Sequence, residues 1–326
     1  MKEDIKNFIQ QFEFQPKIQN RKDYLAKYKN FIIAGMGGSH LAADLIKDNI
    51  SPTKIIIHSN YQLPSLEKEE LKKYLFIASS YSGNTEETLS ALKIAQKNKM
   101  DIAIITAGGK LLKIAQRKEL PYIQLPANDI QPRLAIGYSL IAMLTFTRQK
   151  ESLSKLYNLN ENIFSNRSML LSAQNIAKKI TEKKLIPLIY SSKSFSSLTY
   201  IWKINFNETG KIPTFSNVFP ELNHNEMQGF EVLTKNKIYK NFFIIMLQDK
   251  QMLSSIQQRI KFTQKIYTSL GLETKIINLS GQNYWEKVLS SINLSQWISY
   301  YIALNYHLEP EKVNLVEKFK KLLAKK

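Results

Sequence analysis

Short runs of β-branched and aliphatic residues recur along this chain, separated by longer stretches with apolar residues every three or four positions. In the first half the runs predict strands at 30–35 (NFIIAG), 54–59 (KIIIHS), 74–80 (YLFIASS), 101–107 (DIAIITA) and 122–126 (YIQLP). Helices are predicted over about 39–49, at Thr85–Lys99, at Leu111–Lys118 and from about Pro132 to Arg148. Leu89, Leu92, Ile94 and Ala95 form the apolar face of the Thr85–Lys99 helix. Pro132 sits in the first turn of the last helix, where its missing N–H is not needed. Strands alternating with helices imply an α/β fold with an open, doubly wound parallel sheet flanked by helices.

Residues 149–160 (QKESLSKLYNLN) are polar and read as a connector. The pattern then restarts. Helices are expected at Ile163–Lys184, Ser196–Asn207, Ser254–Leu270 and Tyr284–Tyr306, and strands at 185–191, 241–248 and 274–280. A basic helix over 313–326 closes the chain. The second half echoes the first, as FIIAGMGGSHLAADLIK against PLIYSSKSFSSLTYIWK shows. Two like α/β domains are therefore expected, at 1–150 and 151–326.

Composition removes several chemistries. The 326 residues include no cysteine and four scattered histidines (His40, His58, His224, His307). That leaves no thiolate site, disulfide framework or cysteine nucleophile, and little for a metal centre. We expect no metal and no cofactor. The formal charge of +19 suggests an anionic partner, but only six of the 46 basic residues are arginine, and the lysines are spread along the whole chain. No nucleic-acid-binding motif accompanies them, so no nucleic-acid partner is expected. The longest apolar stretch, Leu134–Thr147, is shorter than the ~20 residues needed to span a bilayer. The first residues carry acids and no apolar segment. A cytoplasmic protein without a membrane partner is the expectation.

Two loops carry the candidate chemistry. Gly35-Met36-Gly37-Gly38-Ser39 lies where a strand hands over to a helix. It is not a dinucleotide fingerprint, because His40 stands where the third glycine belongs and the next strand ends without an acid. The second loop, Ser79-Ser80-Tyr81-Ser82-Gly83-Asn84-Thr85-Glu86-Glu87-Thr88, also follows a strand and opens a helix. One hydroxyl suffices for a helix cap. Ser80, Ser82, Thr85 and Thr88 around one glycine exceed that need and point to phosphate held at a helix N-terminus.

GMGGS and SSYSGNTEET at these places resemble the loops of the sugar-isomerase (SIS) domain. QPRLAIGY (131–138), NETGK (207–211), FPELNHNE (219–226) and LEPEKVNLVEKFKKL (308–322) extend the resemblance, in order, to the bifunctional phosphoglucose/phosphomannose isomerases over essentially the whole chain. The resemblance implies a metal-independent aldose–ketose isomerisation of sugar 6-phosphates through an enediol. It implies that Ser80, Ser82 and Thr85 grip the phosphate, with Gly37, Gly38 and Ser39 alongside. It makes Glu208, in NETGK, the general base, His224 the ring-opening residue, Arg133 the cation for the enediolate oxygens and Lys320 a C-terminal lysine reaching the sugar. It also implies a homodimer in which His224 is shared across subunits. Local features fit these roles. Glu208 is expected at the C-terminal end of a helix that Gly210 terminates, and a guanidinium at Arg133 can make paired hydrogen bonds to a planar enediolate. Two residues depart from the family: His40 replaces a small residue after GGS, and Ile201 stands where an arginine is expected. A non-catalytic phosphosugar sensor is the competing reading. Such regulators carry a DNA-binding domain in front, and only about 30 residues precede the first strand here.

Overall fold

The structure, a computed structural model, describes residues 1–49, 53–236 and 240–323. A one-turn helix α1 (Lys2–Lys6) opens the chain. The first sheet holds β1 (Asn30–Ala34), β2 (Lys54–His58), β3 (Leu75–Ser79), β4 (Ile102–Thr106) and β5 (Tyr122–Gln124), all parallel, in the order β2-β1-β3-β4-β5. The helices between and after them are α2 (Gly38–Asn49), α3 (Lys68–Leu71), α4 (Glu86–Lys97), α5 (Gly109–Arg117), α6 (Ile136–Phe146) and α7 (Lys150–Tyr157). Every residue of β3 and β4 is buried, as strands covered on both faces by helices must be.

The second sheet repeats the scheme. It comprises β6 (Ile186–Ser192), β7 (Phe215–Phe219), β8 (Phe242–Gln248) and β9 (Glu273–Asn278), parallel, in the order β7-β6-β8-β9. Its helices are α8 (Arg167–Glu182), α9 (Ser196–Glu208), α10 (Ser254–Ser269), α11 (Tyr284–Asn305) and α12 (Asn314–Leu323). In each sheet the first strand lies between the second and the third, so the loops leaving the first and third strands are neighbours. This reversal point at the carboxyl ends of the strands is where open α/β sheets bind ligands.

Most expected elements are present within a residue or three, and the exceptions have physical causes. The "connector" at 149–160 contains α7, which buries Ser152 and Leu156 and packs against α6 and a 3-10 turn at Phe8–Glu13. Helix α6 starts at Ile136 rather than near Pro132. Gln131–Ala135 instead form a turn, closed by Leu134 N–H to the Gln131 carbonyl at 2.8 Å. The side chain of Gln11 fixes that start, accepting from Gly137 N–H at 2.9 Å and donating to the Leu134 carbonyl at 2.8 Å. Strand β7 has no apolar run to announce it. It is an edge strand whose Ser216 and Asn217 are only half-buried. Of the terminal basic helix, residues 324–326 lie outside the described residues.

The chain divides into two compact units, Lys6–Glu161 and Met1–Ile5 with Asn162–Lys326. The division falls after 161 rather than at 150/151, because α7 packs within the first unit. The Met1 amino group joins the second unit through Glu311 Oε1 at 2.6 Å.

Candidate active site

In the first unit, the register that sets Ala34 beside Ala78 brings the GMGGS loop next to the Ser79–Thr88 loop. Hydrogen bonds then join the two. Ser79 Oγ donates to the Ser39 carbonyl at 2.7 Å, and Tyr81 N–H donates to Ser39 Oγ at 3.1 Å. Gly38 packs against the turn before α6, where a Cβ would lie 2.8 Å from the Pro132 carbonyl oxygen and 3.2 Å from Arg133 N. Arg133, which sits in that turn and not on a helix, is 4% exposed and donates to Gln131 Oε1 at 3.3 Å. The first unit therefore gathers Gly37, Gly38, Ser39, Arg133 and the hydroxyl loop in one place.

Within the hydroxyl loop, Ser80 Oγ and Thr85 Oγ1 are 2.8 Å apart and bonded to each other, and Gly83 N–H donates to Ser80 Oγ at 3.1 Å. Thr85 occupies the N-cap position of α4, yet its hydroxyl makes no capping bond. The helix thus begins without a side-chain cap on its N–H groups, the arrangement that receives an anion. Ser82 is exposed at the loop tip. Thr88, counted with these hydroxyls from the sequence, is instead buried inside α4, with no hydrogen-bond partner for its Oγ1 among the described residues. The tightness of the loop explains its glycine. Gly83 has φ +68°, and a Cβ there would lie 1.8 Å from the Gly108 carbonyl oxygen. Asn84 ties the same two segments, accepting from Lys110 N–H at 3.1 Å.

In the second unit, Glu208 is the last residue of α9 and half-buried. It lines a groove of about 1070 Å³ together with Lys203, Lys211, Phe215, Lys312 and Val316. Gly210 does not end the helix by a left-handed turn. Lys211 takes that conformation, at φ +60°. Gly210 is instead a close approach, its would-be Cβ 2.8 Å from the Phe206 carbonyl oxygen.

His224 follows a 3-10 turn (Glu221–Asn223) and is exposed. Its flanks are anchored. Asn223 Nδ2 donates to Thr263 Oγ1 at 2.9 Å, and Glu226 accepts from Asn217 Nδ2 at 2.5 Å and from the Tyr190 hydroxyl. Burial, with Tyr267 and Glu226 nearby, pushes the Tyr190 hydroxyl far above the ordinary tyrosine range, so it stays a donor. Lys320 is exposed and bonded to Glu317 at 2.8 Å. It lies beyond the groove lining, which ends along α12 at Val316. His40 turns along its own helix, Nδ1 lying 2.5 Å from Asp44 Oδ2, and Ile201 is a core residue.

Sequence reasoning did not single out Gln11, Lys211 or the Gly108–Gly109 segment packed against the hydroxyl loop. Adjacent glycines at the start of a helix were the one visible signal. Among the described residues, no group of three or more His, Cys, Asp or Glu is placed to hold a metal ion, and no helix is long and apolar enough to cross a membrane.

The chain is similar to known proteins along most of its length. A family model, the bacterial phospho-glucose isomerase C-terminal SIS domain, matches residues 171–323. The bifunctional phosphoglucose/phosphomannose isomerase of Thermoplasma volcanium is 32% identical over 303 residues, covering 92% of this chain and 93% of that protein. The enzyme of the same name from Thermoplasma acidophilum is 32% identical over 323 residues, covering 96% and 98%. Among solved structures, a glucosamine-6-phosphate deaminase of Thermotoga maritima superposes with a TM-score of 0.64 at 15% identity, over 95% of this chain and 94% of that one, a likeness of fold. With the SIS loops in place and identity of this extent along nearly its whole length, the chain belongs to the bifunctional phosphoglucose/phosphomannose isomerase family.

Proposed function

We propose that this protein interconverts glucose 6-phosphate and mannose 6-phosphate with fructose 6-phosphate. The observation that carries the reading is the Ser80–Thr85 hydroxyl pair at the uncapped start of α4, held against the GMGGS loop and Arg133. The phosphate of the substrate binds the N–H groups of α4 with Ser80, Ser82 and Thr85. Gly37, Gly38 and Ser39 let the sugar approach the backbone.

The chemistry is proton transfer. His224 opens the ring by giving a proton to the ring oxygen as the C1 hydroxyl loses one. Glu208 takes the proton from C2 of the open-chain aldose, leaving a cis-enediolate, and returns it to C1, while the C2 hydroxyl proton passes to the C1 oxygen and the C2 oxygen becomes the ketose carbonyl. Arg133 stabilises the negative charge that develops on the enediolate oxygens. Lys320 reaches the sugar from α12. Glucose and mannose 6-phosphates differ only at C2 and share this enediol, so one base serves both. The active form is a homodimer in the cytoplasm. Exposed His224, on its anchored turn, is offered to the neighbouring subunit.

A coupled assay on both aldose phosphates, run with EDTA, tests the reading. Turnover of both substrates with chelator present is expected. Binding without turnover would mark a phosphosugar sensor, and loss of activity on chelation would overturn the metal-independent route.

A further inference from the structure

Lys211 follows Glu208 by three residues, and its ammonium faces three backbone carbonyls. One is that of Glu208, in the last turn of α9; the others are those of Pro310, at 3.3 Å, and Lys312, just before α12. An ammonium has three N–H groups to donate, and here each has a carbonyl to meet. The bonds span 99 and 101 residues of sequence. They tie the segment leading into α12 to the end of the helix that carries Glu208. The positive charge also lies at the C-terminal, negative end of α9, where the helix dipole favours it. Few other contacts fix α12, since none of its described residues is buried. Leu315 is 83% exposed and Phe319 59% exposed. Lys211 itself has the left-handed backbone conformation, at φ +60°.

We propose that Lys211 is a positioning residue, a strap whose three hydrogen bonds hold the origin of α12 in register with Glu208. This rests on the reading of Glu208 as the base and of α12 as the bearer of Lys320. Because it acts through the placement of Glu208 and α12, the strap is expected to affect turnover more than phosphate affinity. Catalytic geometry is sensitive to such displacements, with ~1 Å costing on the order of a hundredfold in rate.

The test compares Lys211→Met, Lys211→Arg and Glu208→Gln in the full-length protein, by steady-state kinetics on fructose 6-phosphate and by amide hydrogen exchange. Lys211→Met is expected to lower kcat about ten- to a hundredfold with KM within about twofold, and to speed exchange in 314–323. Lys211→Arg keeps the charge and the donors and is expected to restore protection of α12 and part of kcat. If Lys211→Met does not fold, Lys211→Gln, neutral but still a donor, takes its place with the same expected direction. Unchanged exchange in α12, or a kcat equal to wild type, overturns the strap. Wild-type turnover in Glu208→Gln would instead overturn the base assignment, and the exchange measurement would still decide the strap.

Discussion

The hydroxyl of Ser79 donates to the backbone carbonyl of Ser39 at 2.7 Å, across 40 residues of sequence. Both ends are buried, and the bond joins the last residue of β3 to the first turn of α2. It converts two separate strand-to-helix loops into one surface, with the glycines on one side and the hydroxyls on the other.

Removing hydroxyls from that surface tests the phosphate cradle. Ser82→Ala with Thr85→Ala should raise KM for fructose 6-phosphate about a hundredfold or more with a smaller change in kcat. Hydrogen bonds to a charged group contribute ~1.5–3 kcal/mol each and lie remote from the reacting carbons. Steady-state kinetics reads the split. An equal fall in kcat with KM unchanged would place the phosphate elsewhere.

Glu208→Gln keeps the shape of the side chain and removes the base. Turnover should fall on the order of a thousandfold, within the range that general acid–base groups contribute. Titration calorimetry should show fructose 6-phosphate still bound. Retention of wild-type rate sinks the assignment.

Gly83→Ala should be poorly tolerated. The residue has φ +68° and its new Cβ would meet the Gly108 carbonyl oxygen at 1.8 Å, so the loop must shift. The left-handed conformation alone costs a β-carbon about 1–2 kcal/mol. A lowered melting temperature and a weakened substrate affinity are expected together, because the displaced segment is the loop proposed to hold the phosphate. A melting curve matching wild type would show that the loop relaxes freely.

Glu273 on β9 binds Lys183 and, at 2.9 Å, Lys179, which ties α8 to the sheet edge. The hydrogen bonds from Lys183 and then Lys179 hold its carboxyl below the usual carboxylate range. A depressed folded-state value means stability that is present above the unfolded carboxylate range near pH 4.3 and lost as pH falls through the folded value. Glu273→Gln should therefore lower stability near neutral pH by about 1 kcal/mol or less, with the difference vanishing in acid and shrinking in high salt. Denaturant titrations at pH 7 and pH 3 read it. An equal deficit at both values would rule the ion pairs out as its source.

Much of the build of the two loops was legible in the sequence. Strand-to-helix handovers at Gly35 and Ser79 are local events, written in runs such as FIIAG and LFIAS followed by glycine and hydroxyls. The hydroxyl loop stood out because it carries more hydroxyls than capping requires. Thr88 shows the limit of that counting. Its position three residues into α4 turns it inward, and only the placement of the helix on the sheet reveals that. Strand β7 was missed for a related reason. Ser216 and Asn217 on an edge strand need no apolar neighbours, and parallel pairing with β6 alone makes the segment a strand.

By itself the sequence determined the α/β class, the repeat, the two loops and the family, because these depend on periodicity, turn chemistry and motifs a few residues long. Only the tertiary structure decided that Gln11 starts α6, that Gly38 abuts the turn of Arg133 and that Lys211 straps the lead-in of α12 to Glu208. Each joins segments 80 or more positions apart in the sequence. Local propensity says nothing of such pairs, since only the packing of sheets and helices brings the segments together.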